Sequence, residues 1–291
     1  MSIIAELLER EAAELFREAR SIGGSKEIRF SSTNIISASC MMKPPCRHCE
    51  WKSNQQFTTG AGKRKSKKDF IEHGRRVERM GVNRIVVPSG WVQYDLPDYF
   101  YEYLEELIGN VNIEVEVAFG AINRQSLQRL KSVGVGRYSC GIETTNQKVF
   151  QYVRPGDSFD NRIKTLRMAK ELGMKIDSSL LFGVGETIGD IAEGIKLMKE
   201  LEVDSAAVWP LSPSPYTEME KWDTPNSFMM ARILAVMVIN LKESDIVGDT
   251  RPGNLKWGIR AGANAFSVSS RQAMEKIKNM REGLLKNTRV G

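Results

Sequence analysis

The 291 residues contain no run of about 18 uninterrupted apolar residues, so a membrane-spanning helix is not expected. They contain no G-x-G-x-x-G and no P-loop, which removes the phosphate fingerprints expected after the first strand of an open doubly wound sheet. The opening stretch, MSIIAELLEREAAELFREAR, is acidic and periodic. It lacks the basic start, apolar centre and small-residue cleavage site of a signal peptide, so a cytoplasmic location is expected. Cysteine is confined to Cys40, Cys46, Cys49 and Cys140. Three of these fall within ten residues, which in a cytosolic chain points to metal or redox chemistry before a disulfide framework.

What is present fits a soluble globular protein. A hydrophobic fraction of 41% with 27% charged residues excludes an intrinsically disordered chain. Net charge is 42 − 36 = +6. Five of the basic residues are Lys63, Arg64, Lys65, Lys67 and Lys68. No aromatic interleaves them, so the run reads as a solvated loop entering a helix rather than as a nucleic-acid patch. Neither a nucleic acid nor a membrane is expected as partner.

The hydrophobic pattern predicts an α/β chain. Residues 1–21 read as one amphipathic helix, with Ile4, Leu7, Leu8, Ala12, Leu15 and Phe16 on one face and Gly23 and Gly24 at its end. Eight strand candidates follow: 34–39, 84–89, 113–119, 137–142, 175–183, 205–211, 245–250 and 264–269. Helix-periodic segments separate them, and Gly81, Gly134 and Gly173 sit where left-handed caps would end three of these. The Pro- and Ser-rich stretch 211–223 reads as a long βα loop. Eight such units in about 255 residues predict a closed TIM-type (β/α)8 barrel, residues 25–291, behind an N-terminal helical extension, residues 1–24. The chemistry of such a barrel lies in the loops after the strands: 40–60, 89–95, 119–123, 142–157, 183–187, 210–222, 249–257 and 267–270.

The first of those loops reads Cys40-Met-Met-Lys-Pro-Pro-Cys46-Arg-His-Cys49, a C-x5-C-x2-C spacing. Thiolates are soft ligands, and three in a tight loop can hold three corners of an iron–sulfur cube, leaving the fourth iron open. Pro44 and Pro45 restrict the loop. A structural zinc site would need a fourth ligand from Cys140, His48 or His73. A redox pair at Cys46 and Cys49 would be expected at the start of a helix. Cys140 lies in a strand candidate and reads as a buried thiol.

A three-cysteine loop after the first strand of a (β/α) barrel resembles the radical S-adenosylmethionine enzymes, whose usual spacing is C-x3-C-x2-C. The longer first interval here is similar to the HmdB group, associated with making the iron-guanylylpyridinol cofactor of methanogen [Fe]-hydrogenase. Further likeness to the biotin-synthase and HydE-like group lies in Ile142-Glu143-Thr144-Thr145-Asn146, Arg154-Pro155-Gly156-Asp157-Ser158-Phe159-Asp160-Asn161-Arg162, Phe182-Gly183-Val184-Gly185-Glu186-Thr187 and Ala261-Gly262-Ala263-Asn264.

The resemblance implies a [4Fe–4S] cluster on Cys40, Cys46 and Cys49, and S-adenosylmethionine bound at its open iron. It implies reductive cleavage to a 5′-deoxyadenosyl radical, fed by a low-potential electron donor protein. The radical would take hydrogen from a small-molecule substrate in the barrel. Ser89-Gly90-Trp91 stands where the family receives the methionine ammonium. Glu143 and Arg162 are implied cofactor contacts, for hydroxyl or ammonium groups and for a carboxylate respectively. Gly183 and Val184 are expected beside the adenine, with His48 where the family places an aromatic. Arg154, Thr250, Arg251, Trp257 and Arg260 are substrate-side candidates, with Arg124 a further one. The strand candidates at 84–89, 113–119 and 175–183 carry no cysteine, so one cluster is expected and sulfur insertion is not. A HydE-like maturase, a 3-methylornithine synthase-like enzyme, and a non-catalytic zinc- or cluster-binding protein are the alternatives.

Overall fold

Strand residues in this chain alternate between an apolar and a polar face, and eight such strands close on themselves. They are β1 (Arg29–Thr33), β2 (Arg84–Pro88), β3 (Glu114–Ala118), β4 (Arg137–Ser139), β5 (Lys175–Phe182), β6 (Ser205–Pro210), β7 (Asp245–Gly248) and β8 (Ala265–Ser267). Each pairs in parallel with the next and β8 pairs with β1, so the barrel is closed rather than an open sheet. Ser31 sets the seam, standing opposite Arg84 on one side and Ser267 on the other. The computed structural model describes residues 3–49, 51, 64–91 and 93–287. Lys63 of the basic run and positions 50 and 52–60 of the first loop lie outside the described residues, as do 1–2 and 288–291 of the two expected units.

Among the described residues eleven helices accompany the strands: α1 (Ile3–Glu9), α2 (Ala12–Gly23), α3 (Lys67–Arg79), α4 (Asp98–Ile108), α5 (Arg124–Ser132), α6 (Gln147–Val153), α7 (Phe159–Glu171), α8 (Ile188–Leu201), α9 (Ser227–Asn240), α10 (Asn254–Arg260) and α11 (Arg271–Asn287). Side-chain caps start several of them. Ser66, Asn123, Ser158 and Asn226 each accept from an amide of the first turn, and Thr187 with Asp190 forms a reciprocal capping box. α9 is apolar nearly all round because it is wedged between the barrel, α2 and α10.

Two expectations need correction. The N-terminal helix is broken at Arg10 and Glu11. Glu11 caps α2 by accepting from the Glu14 amide, and the Arg232 guanidinium takes the Leu8 and Arg10 carbonyls that α1 leaves free. The first strand is Arg29–Thr33, not 34–39. The Arg29–Thr33 segment finds partners on both sides, whereas 34–39 follows the paired residues with Ile36 and Ala38 buried. α6 is an element that the hydrophobic pattern did not indicate.

Outward strand residues such as Ile85, Val87, Val115, Val117, Tyr138, Ile176 and Val208 form one core with the helices. The inward face carries charge towards the N-terminal strand ends. Arg84 on β2 reaches Asp177 on β5 at 3.1 Å, and since those strands are not neighbours the contact crosses the barrel interior. Arg84 also meets Glu116 at 3.1 Å, and Arg137 bridges Glu114 and Asp177. Burial, reinforced by Asp177, pushes the Glu116 carboxyl up to about 8. Nearer the C-terminal strand ends the inward positions are uncharged: Ser139, Ser179 and Ser267 are half-buried, and Ala118, Ala207, Leu181 and Trp209 share that face. The interior charge is thus concentrated towards the N-terminal strand ends.

Candidate functional site

The cysteine loop is fastened to the barrel rim by backbone contacts. Gly90 and Ser89 both donate to the Ser37 carbonyl at 3.0 Å, and the Met41 amide donates to Trp91 O at 2.7 Å. Gly90 makes this approach possible. A Cβ there would sit 2.2 Å from Ser39 O and 2.9 Å from Cys40 Cα. On its other side the loop leans on the loop after β4. A Cβ at Gly156 would lie 2.2 Å from Pro44 O, and the Arg47 amide donates to Val153 O at 2.9 Å. Arg47 ties in the loop after β6 as well. It pairs with Glu218 at 3.0 Å and lies 4.3 Å over the Tyr152 ring, which stacks on Trp222. The loops after β2, β4 and β6 therefore hold one short segment in place.

Within that segment Cys46 is buried and Cys40 and Cys49 are half-buried, all three as free thiols. Burial is the main cause that raises the Cys46 and Cys49 thiols, Cys49 to about 11, and neighbouring cysteines add to it. Such thiols shed their protons only to a strong positive partner, and a coordinated metal is one. Among the described residues, no three His, Cys, Asp or Glu side chains already converge on one point as a ready-made single-ion site. The donor chemistry is soft and all-sulfur, and it fits an iron–sulfur cluster better than a hard cation. His48 lies between Cys46 and Cys49 in the sequence and is half-buried, and its buried Nδ1 has no hydrogen-bond partner. Burial, with Arg154 adding to it, lowers the imidazole to about 4, so it is neutral at physiological pH.

The loop after β4 supplies a compact charged network beside the thiols. Glu143 extends the strand ladder, accepting from Leu181 N while its own amide donates to Ser179 O. It does so at φ +61°, a left-handed conformation for a non-glycine residue that the ladder bonds on both sides enforce. Its Oε1 accepts from Arg154 Nη1 at 3.0 Å and Arg162 Nη1 at 3.2 Å. Arg162 Nη1 also donates to Gly141 O. Behind them, Asp157 Oδ2 accepts from Arg154 Nε at 3.0 Å and Arg162 Nε at 2.8 Å. Burial works against the Asp157 carboxylate, yet Arg162 and Arg154 hold it below its usual range. Both guanidinium groups stay charged despite burial, with the carboxylates offsetting the repulsion between them.

The remaining sequence candidates divide. Trp91 stands at the rim, its Nε1 donating to Ala121 O at 2.9 Å and its ring 5.3 Å from Tyr94. Gly183 and Val184 end β5, but their amides are engaged by Glu186 at 2.7 Å each, and the Pro225 ring lies against Gly183. Val184 packs into a small apolar cluster with Val153, Leu181, Leu211 and Met219. Thr250 follows β7 and donates to Ser267 O, and Arg251 is locked on Asp249 at 2.7 Å. Trp257 and Arg260 lie on α10. Trp257 packs on Phe16 and Phe228, and the Arg260 carbonyl faces Arg20, so both belong to the α2–α9 contact rather than to the loops. Arg124 pairs with Glu171 on the exposed face of α5 and α7. A cavity of about 1070 Å³ between those helices, and one of about 510 Å³ at the N-terminal barrel mouth, include no cysteine in their walls. Sequence reading passed over Asp157, Gly156, Glu186 and Arg47. All four stood inside quoted motifs with no role given to them.

Comparison with known proteins agrees with this geometry. The chain is 27% identical over 288 residues to the [FeFe] hydrogenase maturase subunit HydE of Thermotoga maritima, spanning 90% of this chain and 82% of that one. It is 26% identical over 228 residues to a biotin synthase of Thermotoga petrophila, spanning 76% and 75%. The crystal structure of methylornithine synthase (PylB) superposes with a TM-score of 0.82 at 19% identity, covering 91% of this chain and 80% of that one. The sequence model of the Radical SAM superfamily matches residues 34–198, more than half of the chain and the whole stretch from the cysteine loop to α8, and the chain belongs to that superfamily of enzymes.

Proposed function

We propose that this chain reductively cleaves S-adenosylmethionine at a [4Fe–4S] cluster and takes hydrogen from a small precursor in the biosynthesis of an enzyme cofactor. Membership of the superfamily implies both groups. The observation that carries the reading is the three-cysteine loop, clamped between Gly90 and Gly156 at the open end of the barrel. Cys40, Cys46 and Cys49 would hold the cluster. When bound, the cluster supplies an electron to the sulfonium, and that electron comes from a low-potential donor protein. The rim at Ser89-Gly90-Trp91 offers backbone acceptors for an ammonium. The paired forks of Arg154 and Arg162 suit a carboxylate, and Glu143 suits hydroxyl or ammonium groups. Half-buried His48 offers ring surface for a purine, whereas Val184 is buried in its apolar cluster and offers none. Substrate would lie against the half-buried Ser139, Ser179 and Ser267 of the barrel interior, with Thr250 and Arg251 in the loop after β7 as further candidates.

Three roles are compatible with this chemistry. The five-residue interval between Cys40 and Cys46 supports a role in making the guanylylpyridinol cofactor of [Fe]-hydrogenase. The similarity to HydE over 90% of the chain supports a maturase-like role, and this is the stronger support of the two. A 3-methylornithine synthase-like activity has the support of 23% identity over 205 residues to that enzyme of Methanosarcina acetivorans.

The test is anaerobic reconstitution followed by electron paramagnetic resonance of the reduced protein, with and without S-adenosylmethionine. A [4Fe–4S]⁺ signal that changes on adding S-adenosylmethionine, with 5′-deoxyadenosine formed under reducing conditions, is expected. Both should vanish in Cys40→Ala. Undiminished 5′-deoxyadenosine from that variant would overturn the reading.

A further inference from the structure

Two guanidinium groups share one small buried space in the loop after β4, and a single carboxylate oxygen fixes both. Asp157 Oδ2 accepts from Arg154 Nε and Arg162 Nε, while its Oδ1 accepts from the Ser158 amide at 2.8 Å. The Asp157 amide in turn donates to the Arg154 carbonyl at 3.0 Å. Asp157, 2% exposed, lies behind the two arginines, whose own side chains are 4% (Arg162) and 15% (Arg154) exposed. Glu143 differs. Its side chain is 14% exposed, and one oxygen serves the Nη1 groups of both arginines.

We propose that Asp157 is a positioning residue that fixes Arg154 and Arg162 as a two-pronged receptor for the carboxylate of an amino-acid-like ligand. The proposal rests on the cofactor reading above. A guanidinium held at Nε keeps its plane and turns its Nη edge the other way. Asp157 does this to both forks at once, and the Nη edges then face Glu143. An entering carboxylate competes with Glu143 for those edges. The arginines keep their geometry throughout, because Asp157 retains Nε. Without it the two cations repel across a space from which water is largely excluded, with one carboxylate left for both.

The test compares wild type with Asp157→Asn and Asp157→Glu. S-adenosylmethionine affinity is measured by equilibrium dialysis on anaerobically reconstituted protein, with iron content and melting temperature alongside. Loss of two charge-assisted hydrogen bonds predicts a Kd raised by about ten-fold or more in Asp157→Asn, at unchanged iron content. Asp157→Glu keeps the charge but moves the carboxylate by one methylene, so its affinity should also fall while its melting temperature stays near wild type. That variant serves if Asp157→Asn does not fold. Wild-type Kd in Asp157→Glu would reduce Asp157 to charge balance and overturn the positioning role. A second readout needs neither cluster nor cofactor. In the cluster-free protein the Nε–H resonances of Arg154 and Arg162 should be protected from exchange in wild type and lose that protection together in Asp157→Ala, which leaves no acceptor. Protection that persists in the variant also overturns the proposal. Failure of wild type to bind S-adenosylmethionine, with these resonances behaving as expected, would instead refute the cofactor reading alone.

Discussion

Alanine at Gly90 would place a methyl carbon 2.2 Å from Ser39 O, 2.6 Å from Ser39 C and 2.9 Å from Cys40 Cα. A comfortable carbon–oxygen contact is about 3.3 Å, so one backbone must retreat by roughly 1 Å. All three obstructing atoms are main chain, so no rotamer change relieves the clash. The retreat is resisted by the Gly90–Ser37 bond at 3.0 Å and the Met41–Trp91 bond at 2.7 Å. Losing both costs about 2 kcal/mol. Overpacking strain adds about 1–3 kcal/mol, for a total of about 3–5 kcal/mol. In a domain of this size that corresponds to a fall in Tm of roughly 10 °C. Cys40 is among the displaced residues, so iron bound per chain after reconstitution should fall too. The assay is calorimetry of the cluster-free protein beside iron analysis of the reconstituted one. Gly283 provides the contrast, since its Cβ would meet nothing and it lies exposed within α11. There the same substitution should stabilise by about 0.5–1 kcal/mol. A Gly90→Ala protein melting within about 2 °C of wild type with full iron would refute the argument that the loop depends on this approach.

Two further outcomes follow from the barrel itself. Glu116 is raised from 4.5 to about 8 in the folded chain, so the folded state holds a proton that the unfolded state releases. Its contribution to stability is complete below pH 4.5 and is lost as pH rises through about 8. Urea unfolding between pH 5 and 9 should show that decline, and Glu116→Gln should flatten it; an equally steep decline in the variant would remove Glu116 as its source. Asn264 is buried at the β7–β8 seam, accepting from Ile246 N at 2.8 Å and donating to Asp245 Oδ1 at 2.7 Å. Asn264→Ala strands the Ile246 amide and should cost about 1–3 kcal/mol in urea unfolding. Asn264→Asp should not rescue it at neutral pH, because a second carboxylate would then face Asp245.

The likeness between the expected and observed architecture rests on local signals. Helices α3, α4, α5, α7, α8, α9 and α11 fall where three- and four-residue apolar spacing placed them. Gly81, Gly134 and Gly173 carry the positive φ that their places after helices demanded. Strands β2 to β8 fall within their apolar runs. The first strand did not, because apolar content alone cannot separate a paired strand from a buried loop. The run at 34–39 is largely buried without pairing as a strand, and Arg29–Thr33, poorer in apolar residues, has the two paired neighbours. α6 is a seven-residue helix, shorter than a periodicity window can resolve.

The cysteine spacing, the strand–helix alternation and the glycines of the turns were determined by the sequence, since each depends on residues close along the chain. The partners of those residues were decided by the tertiary structure. Gly90 matters because it meets Ser39, and Gly156 because it meets Pro44. Asp157 matters because it binds Arg162 as well as Arg154. Trp257 and Arg260 follow a strand as site residues would, yet the packing of α10 against α2 carries them away from the rim. Contacts of this kind exist only once the barrel closes, because closure brings loops from different strands to one end, and no pattern along the chain records which of them will touch.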